Sequence, residues 1–315
     1  MNIWHLSDGK AGHVAQANGL FSALARQGIH THITEIAVAN VSGVALALCW
    51  ITQHRLGKLP NSLTPYSAPD LIVGAGHATH WPLILLQRLY PSARSLLLMR
   101  PSLPRQWFDL LMVPEHDEPK ADERLLVTRG VLNPLINQHR HEPDRHLILI
   151  GGASKRHGWY QAGLIEQIEG LQQHLSRKSV WLSTSRRTPV GLLKDPTFVQ
   201  ATADMQVCAV NDTPAGWVFE QMQLADTVWV TEDSVSMVYE ALTAGCRVGL
   251  LNLPRLHEDR VTRGLDQLMA RGQVLPSSLA LQGRIPREPL PLNEANRAAL
   301  WLLQQLALVP KEPLP

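Results

Sequence analysis

The segment with the clearest chemical content is Thr231-Glu232-Asp233-Ser234-Val235-Ser236-Met237-Val238-Tyr239-Glu240-Ala241-Leu242, set between the apolar runs Thr227–Val230 and Arg247–Leu251, with Gly245 before the second. It reads as a complete βαβ unit. Ser234 and Ser236 then fall in the first turn of the helix, where unpaired N–H groups and the positive end of the helix dipole favour a phosphate. Glu240, four residues after Ser236, lies one turn along the same face, where a carboxylate can accept hydrogen bonds from ribose hydroxyls. Thr231, Glu232, Asp233 and Met237 complete the expected lining. The plainer alternative is a helix capped by Asp233 or Ser234 with a solvated Glu240.

Two more loops of the same half carry charge. Gly151-Gly152-Ala153-Ser154-Lys155-Arg156 follows the apolar run His146–Ile150, and small residues followed by two cations suit an anion. Ser185-Arg186-Arg187-Thr188 follows Ser179–Thr184 and adds two guanidinium groups, with Pro189 expected to open the next helix. The nucleotide-binding set expected here is therefore Gly151, Gly152, Ser154, Lys155, Ser185, Arg186, Arg187 and Thr188, together with the 231–240 residues.

In the first half, Ser7-Asp8-Gly9-Lys10-Ala11-Gly12-His13 joins a first strand to a first helix, and its two glycines let backbone approach a ligand. His13 and Asp8 beside that loop are the candidates for proton transfer. Gly9 and Gly12, with Gly74 and Gly76 of a second glycine loop, are expected to face an acceptor. His77 and His80 have metal-ligand spacing, but no neighbouring carboxylate or cysteine completes a site, so no metal and no bound cofactor are expected.

These loops need rigid elements beneath them. Short apolar runs that end in Gly, Ser, Thr or Asp and are followed by helical periodicity describe a parallel sheet with crossover helices. Strands are expected near Asn2–Leu6, His30–Ile36, Asp70–Val73, Arg94–Leu98 and Asp109–Val113, then at His146–Ile150, Ser179–Thr184, Met205–Val210, Thr227–Thr231 and Arg247–Leu251. The first helix, Val14–Gln27, places Val14, Ala17, Phe21 and Leu24 on one face. The fold class is thus α/β, two Rossmann-like domains facing a cleft: residues 1–140 on the acceptor side, 141–291 on the nucleotide-sugar side, and a last helix within 292–315 that packs back on the first domain. Leu275–Pro291 reads as the linker to that helix.

Composition supports this frame. At 315 residues, 45% hydrophobic and 18% charged, the chain can build two cores. Lys plus Arg total 29 against 27 Asp plus Glu, a balance of +2 that gives no reason to expect nucleic acid. Cys49, Cys208 and Cys246 are far apart in apolar runs and read as reduced core thiols, which places the chain in the cytoplasm. Met1–Leu6 leads into a glycine turn rather than a secretory leader, and Ile36–Ile51 is short for a membrane span, leaving a buried helix or a peripheral contact at the inner face of the membrane.

Taken together, SDGKAGH at 7–13, VPEHD at 113–117, IGGASK at 150–155, TSRRTP at 184–189 and TEDSVSMVYEAL at 231–242 resemble the bacterial relatives of the plant mitochondrial fission factor named for elongated mitochondria. More remotely, the chain is similar to glycosyltransferases of the lipid-linked cell-wall precursor type. There a GGH loop lies in the acceptor domain and a helix start with a Glu holds the nucleotide; Gly12-His13-Val14 and Ser234–Glu240 occupy the corresponding places. The resemblance implies a glycosyltransferase-B fold with its donor site in the second domain.

The expected activity is metal-independent transfer of a sugar from a nucleoside diphosphate sugar to an envelope glycan or glycolipid, with His13 or Asp8 as base. One alternative is a non-catalytic partner-recruiting module, as the plant relative's action through a dynamin-like partner suggests. Another is a nucleotide-sugar epimerase, since Gly9-x-x-Gly12-x-x-Ala15 approximates a dinucleotide loop with Glu35 as a ribose acid. That chemistry needs a tyrosine with a lysine four residues on. Tyr66, Tyr90, Tyr160 and Tyr239 are followed at that distance by Asp70, Arg94, Leu164 and Thr243.

Overall fold

Strands covered on both faces must be apolar, and most of the runs read above become such strands in the computed structural model, which describes residues 1–40, 44, 67–120, 122–175 and 178–309. The chain divides into two units, Met1–Pro134 with Asn293–Pro315, and Leu135–Leu292.

The first unit holds β1 (Asn2–Ser7), α1 (Ala11–Arg26), β2 (His32–Ala37), β3 (Leu71–Ala75), α2 (His80–Leu89), β4 (Arg94–Leu98), β5 (Leu110–Pro114) and β6 (Leu125–Thr128). The strands form one sheet in the order β2-β1-β3-β4-β5-β6, every neighbouring pair parallel. β6 had no place in the sequence reading; four residues beside a polar loop make a weak signal, and the strand exists because β5 offers it an edge. Helix α1 starts at Ala11, three residues before the expected Val14, because Lys10 is extended and serves as its N-cap.

The second unit repeats the architecture with β7 (Glu142–Ile150), α3 (Gln161–Leu175), β8 (Ser179–Thr184), α4 (Pro196–Ala201), β9 (Gln206–Cys208), α5 (Trp217–Leu224), β10 (Ala225–Thr231), α6 (Val235–Ala244), β11 (Arg247–Leu251), α7 (Arg260–Ala270), β12 (Val274–Pro276) and α8 (Ser277–Ala280). Its sheet runs β12-β11-β10-β7-β8-β9, again all parallel. Pro189 does not open a helix: Asp195 caps α4 by accepting from Thr197 and Phe198 N–H, and Pro196 takes the first helical position. Nor is Leu275–Pro291 all linker. Val274–Pro276 adds an edge strand to β11, where Pro276 removes no needed ladder bond, and Ser277–Ala280 is helical.

After residue 292 the chain returns to the first unit as α9 (Glu294–Gln305), capped by Asn293. Its Ala295, Ala298, Ala299 and Leu302 join Ala17, Leu20 and Leu24 of α1 in one buried cluster. Cys246 is buried and Cys208 half-buried, both free; Cys49 and most of Ile36–Ile51 lie outside the described residues. No helix among the described residues is long and apolar enough to cross a membrane.

Candidate functional site

In the second unit three loops interlock where β7, β8 and β10 end. The Gly151 N–H donates to Thr231 Oγ1 at 2.7 Å, and the Gly152 N–H to Asp233 Oδ2 at 3.1 Å. A Cβ on Gly151 would overlap the Asp233 carboxylate, and one on Gly152 would overlap the Arg187 carbonyl. The Thr188 hydroxyl donates to the Ile150 carbonyl at 3.0 Å and accepts from the Ser185 N–H at 2.9 Å, so the 185–188 turn is pinned to the end of β7.

This packing separates residues that sequence alone grouped together. Arg187 is engaged within the protein: Nη1 lies 2.6 Å from Asp233 Oδ2 and Nη2 donates to Ser234 Oγ at 2.9 Å. Glu232 is buried and paired with Arg255, which also holds Asp266 at 2.6 Å. Its carboxylate therefore braces the loop through Arg255. Thr231 is fully buried and likewise holds Gly151. Ser154 Oγ accepts from the N–H groups of Arg156 and His157, making a turn that presents its neighbours.

What remains open is a compact set. Ser234 is the N-cap of α6, but its side chain makes no capping bond, being held by Arg187 and Asp233 instead. The N–H groups of Val235, Ser236 and Met237 thus have no acceptor among the described residues, and the ten-residue helix directs its positive end there. Ser236 is exposed beside them and Met237 half-buried. Arg186 and Lys155 are exposed, with no ion pair among the described residues. One turn along α6, Glu240 is half-buried, and burial lifts its carboxyl to about 7.

In the first unit, His13 Nδ1 lies 3.0 Å from both oxygens of Asp8, whose side chain is 6% exposed. Burial alone would raise Asp8, but hydrogen bonds from the Lys10 backbone, His13 and the Lys10 ammonium hold it below the ordinary carboxylate range. An ionised Asp8 requires the proton on Nδ1, which leaves the Nε2 lone pair free. Gly76, at φ +84°, packs directly on the imidazole, so that a Cβ there would overlap the ring. Gly9 takes φ +74° and Gly12 lies in open space. Gly74 belongs to β3 rather than to a loop and makes room for Thr79. His77 and His80 stack with centroids 5.3 Å apart, His80 Nδ1 bonding Ser102 Oγ at 3.0 Å. Among the described residues no three His, Cys, Asp or Glu side chains are placed to hold a metal.

Arg255 escaped the sequence reading because no nearby motif marks it, although a lone arginine just after an apolar strand and a proline was a usable signal. His157, buried behind the 151–156 loop with neither ring nitrogen partnered among the described residues, was missed for the same reason.

Two six-stranded parallel sheets, with glycine-rich and helix-start loops where their strands end, define a protein of the glycosyltransferase-B fold class. The chain belongs to the mitochondrial fission ELM1 family, whose match spans residues 11–306. A curated relative, an uncharacterized protein of Rickettsia prowazekii, is 23% identical over 95% of this chain and 97% of its own. Among solved structures, MurG of Acinetobacter baumannii superposes with a TM-score of 0.55 at 14% identity, over 96% of this chain and 99% of that one. The UDP-GlcNAc 2-epimerase of Methanocaldococcus jannaschii gives 0.57 at 12% identity over 98% and 100%, and 0.51 at 10% over 97% and 100% in its complex with UDP-GlcNAc and UDP. Likeness to epimerases is thus one of fold.

Proposed function

We propose that this chain transfers a sugar from a nucleoside diphosphate sugar to a hydroxyl of a glycan or glycolipid. The observation that carries this is the start of α6: three N–H groups without acceptors among the described residues, at the end of a parallel strand, on a helix whose N-cap side chain is held elsewhere. A diphosphate fills that deficit. Arg186 and Lys155 add mobile positive charge for a leaving group that gains negative charge in the transition state. Arg187 acts one step back, holding Asp233 and Ser234 in place. Glu240 takes the ribose, and in the first unit His13, oriented by Asp8 through Nδ1, accepts the acceptor hydroxyl's proton at Nε2. UDP and UDP-GlcNAc are the first ligands to test, because the Methanocaldococcus enzyme was solved with both.

A thermal-shift series without added magnesium tests the donor site. A ligand at about 100 times its dissociation constant adds about 2.7 kcal/mol of stability. A clear rise in Tm is expected for UDP, GDP, ADP or one of their sugars, and no shift across the set at millimolar ligand would end the reading. Turnover then separates the alternatives: donor consumed only with envelope extract marks a transferase, donor converted without acceptor an epimerase, and binding without turnover a recruiting module.

Glu240 makes the site pH-dependent in a defined direction. Only the ionised carboxylate accepts two hydroxyl protons, and with its carboxyl at about 7 the ionised fraction grows as pH rises through neutrality. Affinity for a sugar nucleotide, whose phosphates do not titrate there, is expected to rise about tenfold from about pH 6 to about pH 8. Isothermal titration at both values checks this. Glu240→Gln should flatten the profile, whereas a flat wild-type profile would remove Glu240 from the ribose.

A further inference from the structure

Two large apolar side chains of the first unit stand together in solvent. Trp81, the second residue of α2, is 52% exposed, and Trp107, in a 3₁₀ turn ahead of β5, is 40% exposed. Their ring centroids lie 5.9 Å apart with the planes tilted by 48°. Pro101 and Pro104 keep the crossing from β4 to β5 from forming a helix, so it carries Trp107 on the single turn Arg105–Trp107. The next residue, Phe108, is buried against His80, the residue before Trp81, with centroids 5.7 Å apart. Buried neighbours thus anchor both indoles while their own rings stay open, leaving in water apolar surface that burial would otherwise claim.

The surroundings say what covers them. An anionic bilayer calls for unpaired cations. On the 94–107 segment, however, Arg94 pairs with Asp109 at 3.9 Å and Arg105 with Asp122, which leaves Arg100. The other polar neighbours are hydrogen-bonding side chains: His77, stacked on His80 with centroids 5.3 Å apart, Ser102, which bonds His80 Nδ1 at 3.0 Å, and Gln106, all exposed. A pyranose ring with equatorial hydroxyls matches this pattern, because its C–H faces are apolar and lie flat on an indole while its rim carries hydroxyls. The place agrees as well. Gly76 packs on the His13 imidazole, and five residues of helical backbone from there to Trp81 rise about 8 Å, within the reach of a short oligosaccharide.

We propose that Trp81 and Trp107 form the acceptor platform: the acceptor presents two β-linked pyranose rings, which stack on the two indoles and direct a hydroxyl towards His13. This rests on the transferase reading and narrows its acceptor to an oligosaccharide head.

Titration of the full chain with chitobiose and with cellobiose, followed by the indole Nε1–H resonances, tests the platform without any donor. Two of the nine indole signals should shift saturably with either sugar, and they should be the two that vanish in Trp81→Phe and Trp107→Phe. Sorbitol, which has the hydroxyls but no ring face, should move neither. Trp81→Ala and Trp107→Ala, both exposed changes, should each weaken the sugar about three- to tenfold, the scale of one aromatic stacking contact. Because UDP is absent, this titration can fail while UDP still raises Tm, and can succeed where UDP does not. Signals that neither sugar moves, shifts confined to other tryptophans, or full affinity in both alanine variants overturn the proposal. So does sedimentation with phosphatidylglycerol vesicles that the two alanine variants lose, which would give the pair to a lipid surface.

Discussion

His13→Ala is expected to slow sugar transfer about 10²–10⁴-fold, the usual cost of losing a positioned base, while affinity for the nucleotide stays within a few-fold. The split arises because His13 sits in the first unit and the nucleotide loops in the second, so the substitution removes no group from the donor site. Transfer rates and nucleotide titrations on the same preparation measure both. Asp8→Ala is the companion variant. It leaves the imidazole without the partner that sets its tautomer, and the pH–rate profile as well as the rate should change. Wild-type transfer by His13→Ala combined with an inactive Asp8→Ala would make Asp8 the base. If neither substitution matters, the first loop only shapes the fold.

Gly152→Ala is expected to damage the donor site more than any single truncation in it. The added methyl would overlap the Arg187 carbonyl, which is backbone held by the 185–188 turn, so the loops must part rather than a side chain turn aside. Overpacking of this kind costs about 1–3 kcal/mol, and in a domain of this size each kcal/mol lowers Tm by about 2–4 °C. Because the same displacement separates Gly152 from Asp233, nucleotide affinity should fall with it. Gly12→Ala, where a Cβ meets open space, is the control and should leave both unchanged. A Gly152→Ala protein that melts and binds like the wild type would mean the three loops are not locked together.

Most of the parallel strands were legible because they contain a short apolar run closed by a small residue, as with Leu71–Ala75, buried at every position. β6 and β12 were not, being short edge strands whose existence depends on a neighbour's free ladder rather than on their own composition. In the candidate site, the types of residue at 151–155, 185–188 and 231–240 spoke of an anion, but not which of them would face it. Arg186 and Arg187 are chemically identical and adjacent. Only the third dimension shows that one is bound to Asp233 and the other is not. The same holds for Glu232 and Glu240, one neutralised by Arg255 and the other lifted by burial. Sequence gives the chemical inventory of such a loop, and packing decides the allotment.

The return of α9 to α1 sets an order of events during synthesis. Residues 135–292 are continuous, so the second unit has all of its chain once Leu292 has left the ribosome. The first unit, though made first, still lacks Ala295, Ala298, Ala299 and Leu302, which cover the apolar side of α1. Until they arrive Ala17, Leu20 and Leu24 lack that cover, a patch open to chaperones or to wrong partners. Of the two units, the one whose synthesis starts first is therefore completed second.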